Sequence, residues 1–104
     1  MANLWAGEVS IDIDGVPHCC KLTLGALAAL EAGLAAGSLV ELVRRFEGGA
    51  FSSSDVMAVV VAGLRGGGWQ GTSADLMTAE IAGGPIGAAK VAAQLLARAF
   101  EAPE

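Results

Sequence analysis

Glu8-Val-Ser-Ile-Asp-Ile-Asp-Gly-Val-Pro-His-Cys-Cys-Lys-Leu22 alternates apolar and polar residues around a central Asp14-Gly15. Val9, Ile11 and Ile13 fall on one side and Ser10, Asp12 and Asp14 on the other, the period-2 pattern of a half-buried strand. Asp-Gly favours a two-residue type I′ turn. That turn sets a register in which Ile13 faces Val16, Ile11 faces His18 and Val9 faces Cys20. Val16, His18, Cys20 and Leu22 are then expected on the inner face, with Pro17, Cys19 and Lys21 outside. The apolar sets of both strands meet on one face, so turn and pattern agree. Pro17 has no N–H to donate, which leaves the second strand a free edge there.

Downstream, the period changes to that of helices. Thr23 is placed to cap a first helix whose stripe is Leu24, Leu27, Leu30 and Leu34, with Gly33 and Gly37 marking its end. Ser38 and Glu41 have capping-box spacing before a second helix with Leu39, Leu42, Val43 and Phe46 on one face, stopped by Gly48-Gly49. Ser52 and Asp55 repeat that spacing before a third helix running to about Arg65. It is apolar nearly all round, which places it at the centre of the fold or in an interface. Thr72 and Asp75 open a fourth helix expected to stop at Gly83-Gly84. Pro85 suits the start of a fifth, with a buried stripe of Ile86, Ala89, Ala93, Leu96 and Phe100. Two strands alone are not stable in water. The expected fold is therefore α+β, an N-terminal β-hairpin (about 8–22) packed on a small bundle of four or five helices (about 24–100). With 104 residues, one domain is expected.

Between the third and fourth helices stands Gly63-Leu-Arg-Gly-Gly-Gly-Trp-Gln-Gly-Thr72. Gly66, Gly68 and Gly71 match a G-x-G-x-x-G pattern, but that fingerprint needs a strand before it and a βαβ unit around it. Here a helix precedes it. Gly63 and Gly68 have P-loop spacing, yet Trp69 stands where the lysine belongs. The stretch reads as a helix stop and turn.

Composition narrows the function classes. The formal charge is -5, with only six Lys and Arg, scattered. No basic stripe exists to neutralise phosphates, so nucleic acid is not expected as a partner. Apolar residues make up 54% of the chain, and mean hydropathy is +0.58. The longest apolar run, Val56–Leu64, is too short to span a bilayer. No signal-peptide pattern opens the chain, so a cytoplasmic location is expected. Cys19 and Cys20 are adjacent and on opposite strand faces, so they are expected as free thiols. With His18 they cannot converge on one metal ion. No nucleophile has a base placed by spacing, and Ser52 to Ser54 read as a helix cap. No enzyme activity, cofactor or metal is expected.

Several segments line up, in order, with one family: Ala6-Gly-Glu-Val9, Leu22-Thr-Leu-Gly-Ala-Leu27, Arg45-Phe-Glu-Gly-Gly49, Ala62-Gly-Leu-Arg-Gly-Gly-Gly-Trp-Gln-Gly71 and Ala82-Gly-Gly-Pro85. Together they resemble the short tail-cluster proteins of gene transfer agents, the phage-like particles of alphaproteobacteria. The group they resemble is the tail assembly chaperone, also labelled tail tube protein. The resemblance covers nearly the whole chain and implies non-enzymatic work. Such chaperones coat the helical tape-measure protein, hand over to tail tube subunits and are absent from the finished particle. The alternative is a structural tail component retained in the particle.

So apolar a chain of this length is expected to leave some apolar surface uncovered, and such patches mark interaction sites. The candidate partner-binding residues are Val56, Val60 and Leu64 on the third helix, with Phe46, Phe51 and Trp69. Trp69 is expected to be the most exposed, because it follows the glycine run. Filling the core is the competing role for each of the six. Self-association is a further possibility.

Overall fold

A computed structural model describes residues 8–33 and 38–100. It contains strands β1 (Val9–Ile13) and β2 (Val16–Cys20), followed by helices α1 (Leu24–Ala32), α2 (Leu39–Glu47), α3 (Ser53–Gly66), α4 (Ser73–Met77) and α5 (Gly84–Phe100). This is the expected α+β arrangement, an antiparallel hairpin on five helices.

The turn chemistry fixes the hairpin. Asp14 and Gly15 both take positive φ, 51° and 81°, as a type I′ turn requires. The register is the expected one, with Ile13 opposite Val16, Ile11 opposite His18 and Val9 opposite Cys20. Val9, Ile11, Ile13, Cys20 and Leu22 are buried. Val16 departs from expectation and is exposed. It lies at the turn end of β2, whereas the covering segment there, residues 80–82, runs along β1.

That covering segment was expected to be helix. α4 instead ends at Met77, and the chain then extends along the outer edge of β1. Asp14 N donates to the Glu80 carbonyl (2.7 Å), and Ala82 N donates to the Asp12 carbonyl (3.1 Å). The Asp14 carboxylate accepts from Glu80 N at 2.9 Å. An edge strand offers unpaired backbone groups, and pairing with them outweighs the weak local helix preference of residues 78–82.

Local capping sets the helix starts. Thr23 Oγ1 accepts from Ala26 N (3.1 Å), and Ser38 Oγ accepts from Glu41 N (3.3 Å). Ser52 and Asp55 close a reciprocal capping box on α3. The Asp75 carboxylate accepts from the Thr72 N–H and hydroxyl. Two apolar stripes differ from expectation. In α1, Leu30 is buried but Leu24, at the first helical position, is exposed, and Leu34 lies outside the described residues. In α5, the buried set is Ala88, Val91, Ala92, Leu95 and Leu96, leaving Ile86, Ala93 and Phe100 exposed. Alanines at 88, 89, 92 and 93 make two neighbouring stripes equally apolar, and contact with α3 selects between them.

α3 is the hub, packed against α1, α4, α5 and β2. Its C-terminal turn lies directly on the backbone of β2. Lys21 N donates to the Gly63 carbonyl at 2.8 Å. A Cβ on Gly66 would overlap the Lys21 carbonyl oxygen, and one on Gly67 would overlap that of Cys19. The glycine run therefore permits a helix-to-strand approach that no side chain allows.

Gly68 completes the run with φ 104°. Gly68 N donates to the Arg65 carbonyl and Trp69 N to the Leu64 carbonyl (3.1 and 2.9 Å). This is the Schellman pattern, in which the residue after the left-handed glycine is commonly apolar and packs back on the helix.

Gly66→Ala or Gly67→Ala should destabilise the fold by at least about 1–3 kcal/mol, the range for overpacking. Gly25→Ala, on the exposed first turn of α1 with nothing nearer than 3.9 Å to the added methyl, should stabilise by about 0.5 kcal/mol. Thermal or urea unfolding of the three variants checks the contrast.

Candidate partner-binding site

Where α3 and α5 begin side by side, their small side chains leave an open groove of about 270 Å³. Phe51, Val56, Met57 and Val60 line it from the α3 side, and Pro85, Ala88 and Ala89 from α5. Leu76 and Ile81 of the intervening segment complete the apolar lining, and among the described residues Ser52 and Ser53 are the only polar contributors. No titratable side chain is among them.

Phe51 is held in place by its neighbours. Its ring stacks on Phe46 with centroids 4.6 Å apart and an interplanar angle of 4°. Arg45 Nη2 meets Asp55 Oδ1 at 3.2 Å, tying the end of α2 to the start of α3. The same Asp55 carboxylate caps α3 through Ser52 N, so one side chain positions both helices and the loop between them.

The six candidate residues divide. Phe51, Val56 and Val60 come together in the groove, although Val60 lies at its floor and is 1% exposed. Phe46 stands behind Phe51 and lines a separate depression between α2 and α5. Leu64 is 0% exposed, in the middle of the core. Trp69 is half-buried, as are Phe46, Phe51 and Val56, and it packs on the core cluster. The Schellman bond from its N–H to the Leu64 carbonyl folds it back on α3. A sequence signal existed for this, the order glycine then large apolar residue just past a helix end. Leu76, Ile81, Pro85 and Ala88 were missed as groove residues, because their place depends on the segment that pairs with β1.

The described lining of the groove is apolar apart from its two serines. The thiols lie elsewhere, Cys19 exposed and Cys20 buried. Burial pushes the Cys20 thiol up to about 12, with the Cys19 charge adding to it. Cys19 is also raised, by partial burial and then by Glu8. Neither is poised as a thiolate nucleophile at neutral pH. Among the described residues, no three His, Cys, Asp or Glu side chains are grouped to hold a metal ion. No described helix is long and apolar enough to cross a membrane.

A family model described as phage tail tube protein, GTA-gp10, matches residues 6–102. No curated protein and no solved structure matches the chain.

Leu64→Ala should destabilise by about 2–5 kcal/mol, as for other fully buried leucines, measured by urea unfolding. A second expectation concerns pH. Cys20 titrates near 9.0 when unfolded and near 12 in the fold. Its contribution to stability is complete below pH 9 and falls as pH rises toward 12, because only the unfolded chain releases the proton there. Cys20→Ala should flatten that alkaline decline relative to the parent chain.

Proposed function

The chain belongs to the phage tail tube protein, GTA-gp10 family, and from that membership we propose that it is a non-enzymatic tail assembly chaperone acting in the host cytoplasm. It binds the tape-measure protein while the tail is being built and gives way to tail tube subunits. The observation that carries this reading is the apolar groove at the α3–α5 seam, whose described lining holds no titratable group. The surface supports that reading because it matches a common mode of peptide recognition. In that mode, a helix lays apolar anchors spaced i, i+3 or i+4, and i+7 into a hydrophobic groove. A long helical client offers that spacing repeatedly, so one small domain can bind it in many copies.

A second reading follows from the family's description: a tube-associated subunit that stays in the particle. The two differ in where the protein ends up. A chaperone co-elutes with the tape-measure protein in many copies per client and is missing from purified particles. A structural subunit is found in the particles and does not require the tape-measure protein to assemble.

Ala89→Glu puts a charge on the groove wall without altering the core. It should abolish co-elution with co-expressed tape-measure protein on gel filtration, while the melting temperature changes by only a few degrees. Undiminished co-elution would remove the groove from the binding role.

A further inference from the structure

Four faces of α3 are covered unequally. Val59, Val60, Gly63 and Leu64 are buried. Ser54, Met57, Ala58, Val61 and Arg65 recur at helical spacing on the outward side. There Ser54 and Arg65 are exposed, and the three apolar residues are only half-buried. That stripe is the floor of a second groove, between α1 and α3, of about 360 Å³. Leu30 and Ala29 of α1 line it on the other side. Met57 lines this groove and also the one at the α3–α5 seam. The two are therefore one apolar surface, folded over α3 with Met57 as its ridge.

Charge on this surface is confined to a single group. Among the described residues that line the two grooves, Arg65 is the only titratable one. Among the described residues, the one short ion pair is Arg45 with Asp55, and Arg65 has no carboxylate partner. An exposed, unpaired guanidinium at the end of an apolar stripe is complementary to a partner with an apolar face closed by a carboxylate. From Ser54 to Arg65 the stripe runs for about 16 Å at the helical rise per residue, or three turns.

We propose that this combined surface is the seat of one amphipathic partner helix. The helix lies over the outward face of α3, its apolar anchors straddle Met57, and an Asp or Glu at one end pairs with Arg65. The proposal rests on the chaperone reading and gives it a client chemistry: helical segments of about three turns with an apolar stripe and a terminal acid. Binding is then expected to weaken with salt, which an apolar groove alone would not require.

The test uses the full chain and the tape-measure protein from the same gene cluster, with affinities measured by titration. Arg65→Glu should weaken binding ~10-fold or more, the scale of an interfacial charge pair. Met57→Lys should weaken it at least as much. Arg44→Glu, an exposed reversal on α2 outside both grooves, should leave affinity within about twofold, since rim charges away from the contact carry little. Replacing the acid of the bound client segment by lysine should restore binding to the Arg65→Glu chain. Wild-type binding by both Arg65→Glu and Met57→Lys overturns this surface and leaves the chaperone reading standing. Failure of the unaltered chain to bind removes the chaperone reading and this occupant with it. Concentration-dependent dimers lost on Met57→Lys would make the occupant a second copy and overturn the proposal as well.

Discussion

The carbonyl oxygens of Cys19 and Lys21 occupy the space where residues 67 and 66 would carry their Cβ atoms. Everything else in the fold is arranged around that contact. A two-stranded hairpin cannot hold itself together in water, so it needs one face on the helices and one edge protected. α3 supplies both, by pressing its last turn onto β2 with a backbone bond from Lys21 to Gly63. Once that turn is fixed, Leu64 points into the core, the Schellman cap folds Trp69 back, and α1, α4 and α5 find their places around one helix. The opposite edge of the sheet is guarded by residues 80–82. The hairpin is thus clamped from two distant parts of the chain.

The same economy of side chains that lets α3 approach the strand leaves its outer half under-covered. Along that outer half, α5 contributes Pro85, Ala88 and Ala89, and α1 contributes Ala29 and Leu30, with Gly33 just past its end. Small residues allow close helix packing but cannot fill the space above a Met, Ala and Val stripe. Two shallow apolar grooves follow directly from that composition, without any special loop or strained backbone. In a domain of this size such surface has few places to hide, and a protein–protein role is the economical use of it.

The hairpin was legible in the sequence because its turn chemistry and its alternation point to the same register. The caps were legible because Thr23, Ser38, Ser52 and Thr72 each precede an apolar run at the right distance. The central place of α3 followed from its lack of a polar face. Less could be read where alanine dominates: the buried stripe of α5 is one of two that its sequence permits. The extended segment at Glu80 to Ala82 was not legible, because its conformation answers to β1 and not to its own residues. Of the groove, Phe51, Val56 and Val60 were found from apolar pattern alone. Leu64 and Trp69 share that pattern but are turned inward by packing and by the cap, which no periodicity reports.

The clamp on the hairpin also imposes an order in time. Asp14 and Glu80 are 66 residues apart in the chain yet hydrogen-bonded. At synthesis rates of roughly 5–20 residues per second, several seconds separate the emergence of the two partners from the ribosome. For much of that interval Val9, Ile11 and Ile13 precede α3, which ends at Gly66, and for all of it they precede residues 80–82. The β1 edge of the hairpin therefore lacks its guard until residues 80–82 have been made.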